Sequence, residues 1–216
     1  MHTLEIWGRC TSSNVQALMW CLAELELPSI RHDVGLHHGG NNLPAFLAMN
    51  PNGTIPVLRD GNSEPLWETG AILRYIASRY GNPVFWPEEA LARAQVDKWA
   101  EWSKWNVAQF FSRFIFWPQI FVPPSQQDPA AVRRALPQLD RYLDIAEARL
   151  AQQAFLANDN FTLADIQLGH ILFRYFTLNT PRQTRPALER YYADLTARPA
   201  YREHVMVDYE ALRVRD

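Results

Sequence analysis

The chain has 216 residues, 48% of them hydrophobic and 20% charged, enough for one large or two small globular domains. A formal charge of −2 gives no general electrostatic case for binding nucleic acid or an acidic membrane, and no apolar run approaches the roughly 18–20 residues of a membrane span. The N-terminus reads as a strand rather than a signal peptide, so the expected location is cytoplasmic.

The first strand is LEIW, and the turn GRCTSSNVQ carries it into a helix whose buried stripe is Val15, Leu18, Met19, Leu22 and Leu25. Ser13 and Gln16 have the spacing of an S-x-x-Q capping box, which leaves Ser12 at the helix mouth without a local job. Free backbone N–H groups there favour a developing anion. Cys10 and Cys21 are the only cysteines. Separated by a turn and most of a helix, they are poorly placed to bridge, and they form neither a disulfide framework nor a zinc site; no metal is expected.

A short strand SIRHDV follows, then a loop LHHGGNN, then IPVLR running into Asp-Gly-Asn as a tight hairpin with EPLW as the returning strand. A helix from ETGAILRYIASRYG ends at Gly81 ahead of Pro83. The order is βαβ followed by ββα, an α/β domain over residues 1–81. NPVFWPEE, residues 82–89, is the linker, and residues 90–216 read as all helix. LARAQVDKWAEWSKWNVAQFFSRFIFW is expected to stop before Pro118, with later helices in AAVRRALPQLDRYLDIAEARLAQQ, FTLADIQLGHILFRYFTL and PALERYYADLTARPAYREHV.

Three further segments carry chemistry. Pro56 sits inside an apparent strand, where either a cis Ile55–Pro56 bond or an edge or bulge position resolves the lost ladder bond. A cis bond would turn the Ile55 backbone outward to pair with an extended peptide. Glu68 and Thr69 begin the third helix; Thr69 is a plain N-cap, or the pair offers a carboxylate for an ammonium group and a hydroxyl plus helix N–H groups for a carboxylate. Thr162 and Asp165 in TLAD form a capping box, with Phe161 and Ile166 as its hydrophobic staple.

The run GRCTSSNVQALMWCL, NPNGTIPVLRDG, WETGAILRYIA and FTLADIQLG resembles the cytosolic glutathione transferase family over essentially the whole chain. The resemblance implies a thioredoxin-like N-terminal domain with a mixed sheet that binds glutathione, and an all-helical domain that supplies the pocket for a hydrophobic electrophile. It implies a homodimer, with glutathione as co-substrate. Carried over by position, Ile55 beside Pro56 holds the cysteinyl backbone of glutathione, Glu68 and Thr69 its γ-glutamyl end, and Asn41 and Thr54 its glycyl end. Many relatives carry a cation near Thr54, and its absence leaves the glycyl carboxylate less well neutralised. Ser12 matches the serine that hydrogen-bonds the sulfur, with Asn14 as a second donor.

Cys10 is the departure that bears on the chemistry, because C-T-S-S also reads as a C-x-x-S redox motif. Were Cys10 to face the glutathione sulfur, a mixed disulfide would form and the protein would be a thioltransferase or peroxidase; otherwise Cys10 packs beneath the turn as a small hydrophobe. A third possibility is a non-catalytic binding module of the same fold. The chain is rich in aromatics, and Trp102, Trp105, Asn106, Gln109, Phe110, Arg113 and Trp117 lie on the first long helix of the second domain. Of these, Asn106, Phe110 and Arg113 are the expected wall of the second-substrate pocket.

Overall fold

A computed structural model describes residues 3–216. Strand β1, Leu4–Trp7, buries Leu4 and Ile6 and leaves Glu5 and Trp7 half-buried, the period-two pattern of a strand with one face on the core. It pairs in parallel with β2, Ser29–His32, across α1, Ser13–Glu24. A short helix, α2, Pro44–Leu47, precedes β3, Val57–Asp60, and β4, Leu66–Trp67. β3 runs antiparallel to both β1 and β4, so the sheet order is β2-β1-β3-β4. The hairpin turns at Gly61, whose φ of +56° suits glycine. Helix α3, Thr69–Tyr80, returns across the sheet, and Ile72, Leu73 and Ile76 join Leu18 and Leu22 of α1 over Ile6 and Leu58. The expected mixed-sheet α/β domain is present, with the short α2 as an addition.

The remainder is helical. α4, Ala90–Trp102, continues without a break through π-helical turns at Ser103–Gln109 and Ser112–Phe116 into α5, Trp117–Ile120. The expected stop before Pro118 is therefore corrected. The wide turns immediately upstream accommodate a residue that has no N–H to give and a ring that would crowd a regular α-turn. α6, Pro129–Leu150, starts at Asp128, whose carboxylate accepts from the N–H groups of Ala130 and Ala131 at 2.9 Å. It is followed by α7, Leu163–Thr177, α8, Pro186–Ala197, and α9, Pro199–His204.

α7 is buried on nearly every face and contacts α1, α3, α4 and α8. Its N-terminus is the expected capping box of Thr162 and Asp165. Asp165 is fully buried and accepts from four donors: the N–H of Thr162 (2.8 Å), the N–H of Leu156 (2.9 Å), the Thr162 hydroxyl (3.1 Å) and the Tyr191 hydroxyl (2.9 Å). Where α1 crosses α7, Gly169 stands against the Trp20 ring, and a Cβ there would come within 2.7 Å of it. Trp20 also meets Tyr201 edge-on at 4.8 Å and Phe161 at 5.5 Å. Arg198 then forks onto Glu24 at 2.7 and 2.6 Å, fastening α1 to the segment that begins α9.

Loss of the Thr162 cap by Thr162→Ala is expected to cost about 0.5–2 kcal/mol. Asp165→Ala strands several buried donors and should cost more, about 2–5 kcal/mol, in the same urea titration. Burial pushes the Asp165 carboxyl up to about 6 against its four donors. Between about pH 4 and 6 the folded chain thus holds a proton that the unfolded chain has released, so this group's contribution to stability is lost as pH rises through that window. Asp165→Asn should remove that slope from the pH profile of the urea midpoint.

Candidate functional site

The turn from β1 to α1 is built around Gly8, where a Cβ would lie 2.5 Å from Val15 and 3.3 Å from Ile55. Only glycine allows the helix start and the residue before Pro56 to close on one another here. α1 begins at Ser13, and its N-cap is Ser12, with φ −87° and ψ 124° and no side-chain cap hydrogen bond. The expected Ser13–Gln16 capping box is corrected: Ser13 is already helical, and the Gln16 amide turns back to donate to the Cys10 carbonyl at 3.0 Å. The Ser12 hydroxyl, on a residue 8% exposed, is left without a structural duty at the helix mouth. Cys10 is exposed rather than packed beneath the turn, and its N–H donates to the Asp33 carboxylate. Cys21 is fully buried, its thiol pushed well up by burial, and both thiols are free.

Ile55–Pro56 is cis. No hydrogen bond among the described residues engages the Ile55 N–H or C=O, so both remain available to an extended ligand. The preceding loop is held from inside by Asn50, fully buried, whose amide donates to the Thr54 carbonyl (2.8 Å) and hydroxyl (3.0 Å) while its oxygen accepts from the Asn52 N–H at 3.0 Å. Asn41 donates to the Gly53 carbonyl at 2.9 Å, which ties the GGNN loop to the same corner. At the start of α3 the N-cap is Glu68, not Thr69. Glu68 has a φ of +69°, an uncommon conformation for a residue with a side chain. Its carboxylate is exposed beside the buried Thr69.

A cavity of about 80 Å³ lies where the two domains meet, lined by Asn14 from the first turn of α1, by Lys104, Gln109, Ser112 and Trp117, and by His170 of α7. Lys104 reaches from the helical domain to within 3.9 Å of the Glu68 carboxylate. His170 is 3% exposed and held neutral, its pKa lowered to about 4 by burial. Arg174, one turn further along α7, donates to the Thr11 carbonyl at 2.8 Å. None of Lys104, His170 and Arg174 carries a local sequence signal. They reach the site through helix crossings that bring residues far apart in sequence together.

Family models for the N-terminal and C-terminal domains of glutathione S-transferases match residues 11–79 and 105–199. Glutathione S-transferase GstB of Escherichia coli strain K12 is 36% identical over 205 residues, 94% of this chain and 98% of the relative. The chain belongs to the glutathione S-transferase family. Glutathione S-transferase 3 of Zea mays is 35% identical over 215 residues, 95% of this chain and 94% of that protein. The crystal structure of the theta class glutathione S-transferase of Xanthomonas axonopodis pv. citri with glutathione bound superposes with a TM-score of 0.89 at 39% identity, covering 96% of this chain and 99% of that one.

Within this glutathione S-transferase, the structure gathers Ser12, Asn14, Ile55, Pro56, Glu68 and Thr69 around the N-terminal ends of α1 and α3, with Asn41 and Thr54 at one corner. It does not gather the expected wall of Asn106, Phe110 and Arg113. Phe110 packs against Tyr142 of α6 at 5.6 Å, Arg113 is exposed over Phe114, and the Asn106 amide donates back to the Trp102 carbonyl at 3.2 Å. The face toward α1 and α7 is instead Lys104, Ala108, Gln109 and Ser112, joined by Trp117. Phe110 turns instead toward α6, where Tyr142 meets it edge-on. Asn50→Ala would strand the loop donors and carbonyls it satisfies and is expected to cost about 1–3 kcal/mol in a urea titration. The exposed Thr54→Ala should stay within about 0.5–1 kcal/mol.

Proposed function

We propose that this glutathione S-transferase binds glutathione extended against Ile55 and attaches its sulfur to a hydrophobic electrophile. The observation that carries the reading is the Ser12 hydroxyl, placed at the N-terminus of α1 and unused as a cap. Its O–H donates to the glutathione sulfur, with Asn14 as second donor, and the helix N–H groups add positive potential. The γ-glutamyl ammonium meets the Glu68 carboxylate, its carboxylate meets Thr69 at the start of α3 with Lys104 close by, and the glycyl end lies toward Asn41 and Thr54.

The chemistry then needs little more than ionisation. A free thiol near pKa 8.5 is only a few per cent thiolate at pH 7, and a shift of about two units makes it mostly nucleophilic. The thiol proton leaves to solvent; the thiolate forms an S–C bond as the leaving group departs with its electron pair. Trp117, 49% exposed at the edge of the cavity, offers a flat apolar surface for a hydrophobic electrophile, and detoxification in the cytoplasm is the role that such a reaction fits. A homodimer is the assembly that the resemblance implies. The exposed Trp67 and Leu91 give apolar surface for it.

The exposed Cys10 thiol favours a second reading, thiol–disulfide exchange with glutathione. Ser12→Ala is expected to raise the pKa of bound glutathione and to cut conjugation at pH 7 roughly ten- to a hundred-fold, while Cys10→Ala stays within a few-fold. A pH–rate profile and thiolate absorbance on both variants check this. A silent Ser12→Ala beside an inactive Cys10→Ala would give the role to the thiol.

The γ-glutamyl assignment has its own test. Glu68→Ala should weaken glutathione binding by about 1–3 kcal/mol in calorimetry, as for loss of a charge-assisted hydrogen bond.

A further inference from the structure

Arg174 is 3% exposed and lies beneath the Cys10–Thr11–Ser12 turn. One of its guanidinium nitrogens donates at 2.8 Å to the carbonyl of Thr11, the peptide that leads directly into Ser12. The same nitrogen reaches the Gln16 side-chain oxygen at 3.4 Å, and Gln16 gives its amide to the Cys10 carbonyl at 3.0 Å. The Phe116 ring closes the other side, 4.7 Å from the guanidinium carbon. Arg174 is thus the helical domain's grip on the turn that carries the proposed thiol-activating serine.

Its electrical surroundings are unusual. No carboxylate among the described residues lies within ion-pair distance of Arg174, and its Nε has no hydrogen-bond partner. Arg9, on the same turn, is a second cation without a carboxylate, and its Nε is likewise unpartnered. The remaining titratable groups that face Arg174 are Tyr209 from the C-terminal segment and His170 on its own helix, with Lys104 beyond His170. Asp33 touches the turn only through the Cys10 N–H and is itself engaged by Arg31 and His38. A buried guanidinium is ordinarily kept with a carboxylate, because removing a cation from water costs several kcal/mol. Here no compensating carboxylate is found among the described residues, at the place where the proposed reaction generates an anion.

We propose that Arg174 is a positioning residue for the transferase reaction: it clamps the Thr11–Ser12 peptide and supplies, with Arg9, the positive potential that favours thiolate over thiol at Ser12. The inference rests on glutathione binding with its sulfur at Ser12. Arg174 stays protonated throughout; the only bond it helps to break is S–H, and that proton goes to solvent. A single cation at this remove, in a partly desolvated site, accounts for about one pKa unit of the thiol, a tenfold change in thiolate at neutral pH.

The test compares Arg174→Gln, which keeps a donor for the Thr11 carbonyl and removes the charge, with Arg174→Lys, which keeps the charge. The pKa of bound glutathione is read from thiolate absorbance and from the pH dependence of kcat. The expected result is a rise of about one unit in Arg174→Gln, near-parent behaviour in Arg174→Lys, and a KM for glutathione within threefold in both. An unchanged pKa in Arg174→Gln would overturn the proposal, and so would equal rises in both variants, which would reduce Arg174 to shape alone. Should Arg174→Gln not fold, Arg9→Gln removes the companion charge and leaves the Arg174 clamp on Thr11 intact, and a rise in the same pKa is expected; its absence overturns the proposal equally. A silent Ser12→Ala beside an acid-shifted parent that Arg174→Gln abolishes would instead remove the serine reading and leave the cation standing.

Discussion

The fit of Trp20 of α1 onto Gly169 of α7 governs the molecule. α1 belongs to the sheet domain and α7 is the central helix of the other, and the indole can come up against the α7 backbone only because residue 169 has no Cβ. Tyr201 and Phe161 box the ring in, and Glu24 both accepts from the indole N–H at 2.8 Å and takes the Arg198 fork. Close-packed interiors transmit such constraints with little give. Fixing α1 on α7 fixes the N-terminus of α1, around which Ser12 and Asn14 are placed.

From there the site follows as a consequence of two helix starts. α1 presents Ser12 and Asn14, α3 presents Glu68 and Thr69, and the cis Ile55–Pro56 peptide lies between them with its backbone groups free. The helical domain contributes Arg174 to the Thr11 carbonyl, Lys104 toward Glu68, and Asp97 and Glu101 of α4 to the Arg74 guanidinium of α3. The two domains are therefore joined by an apolar crossing at one level and by polar reach at another, and the second operates at the site.

Local patterning carried much of this in the sequence. The β1 alternation, the Asp-Gly hairpin, the TLAD box and the helix stripes are short-range signals, and each corresponds to an element in the structure. Pro56 pointed to its own environment because a proline in a strand demands an explanation. What stayed hidden was long-range or a matter of phase. Ser13 and Gln16 have capping spacing, yet the Gln16 amide nitrogen donates to the Cys10 carbonyl and its oxygen accepts from Arg174, 158 positions away. Asn106, Phe110 and Arg113 recur at α-helical spacing, whereas the segment that holds them is largely π-helical.

Those π-turns separate the length of the helix from the direction its pocket wall faces. Each wide turn holds one residue more than an α-turn would, so side chains downstream are rotated about the helix axis relative to a regular helix of the same sequence. Trp117 faces the cavity across two such segments. Removing a single residue between Ser103 and Gln109 would let that stretch relax to α geometry and leave Ser112, Phe116 and Trp117 at the azimuth they hold now. A helix of this kind can therefore gain or lose one residue at a wide turn while the wall downstream keeps facing the same way, so length varies here without disturbing the pocket.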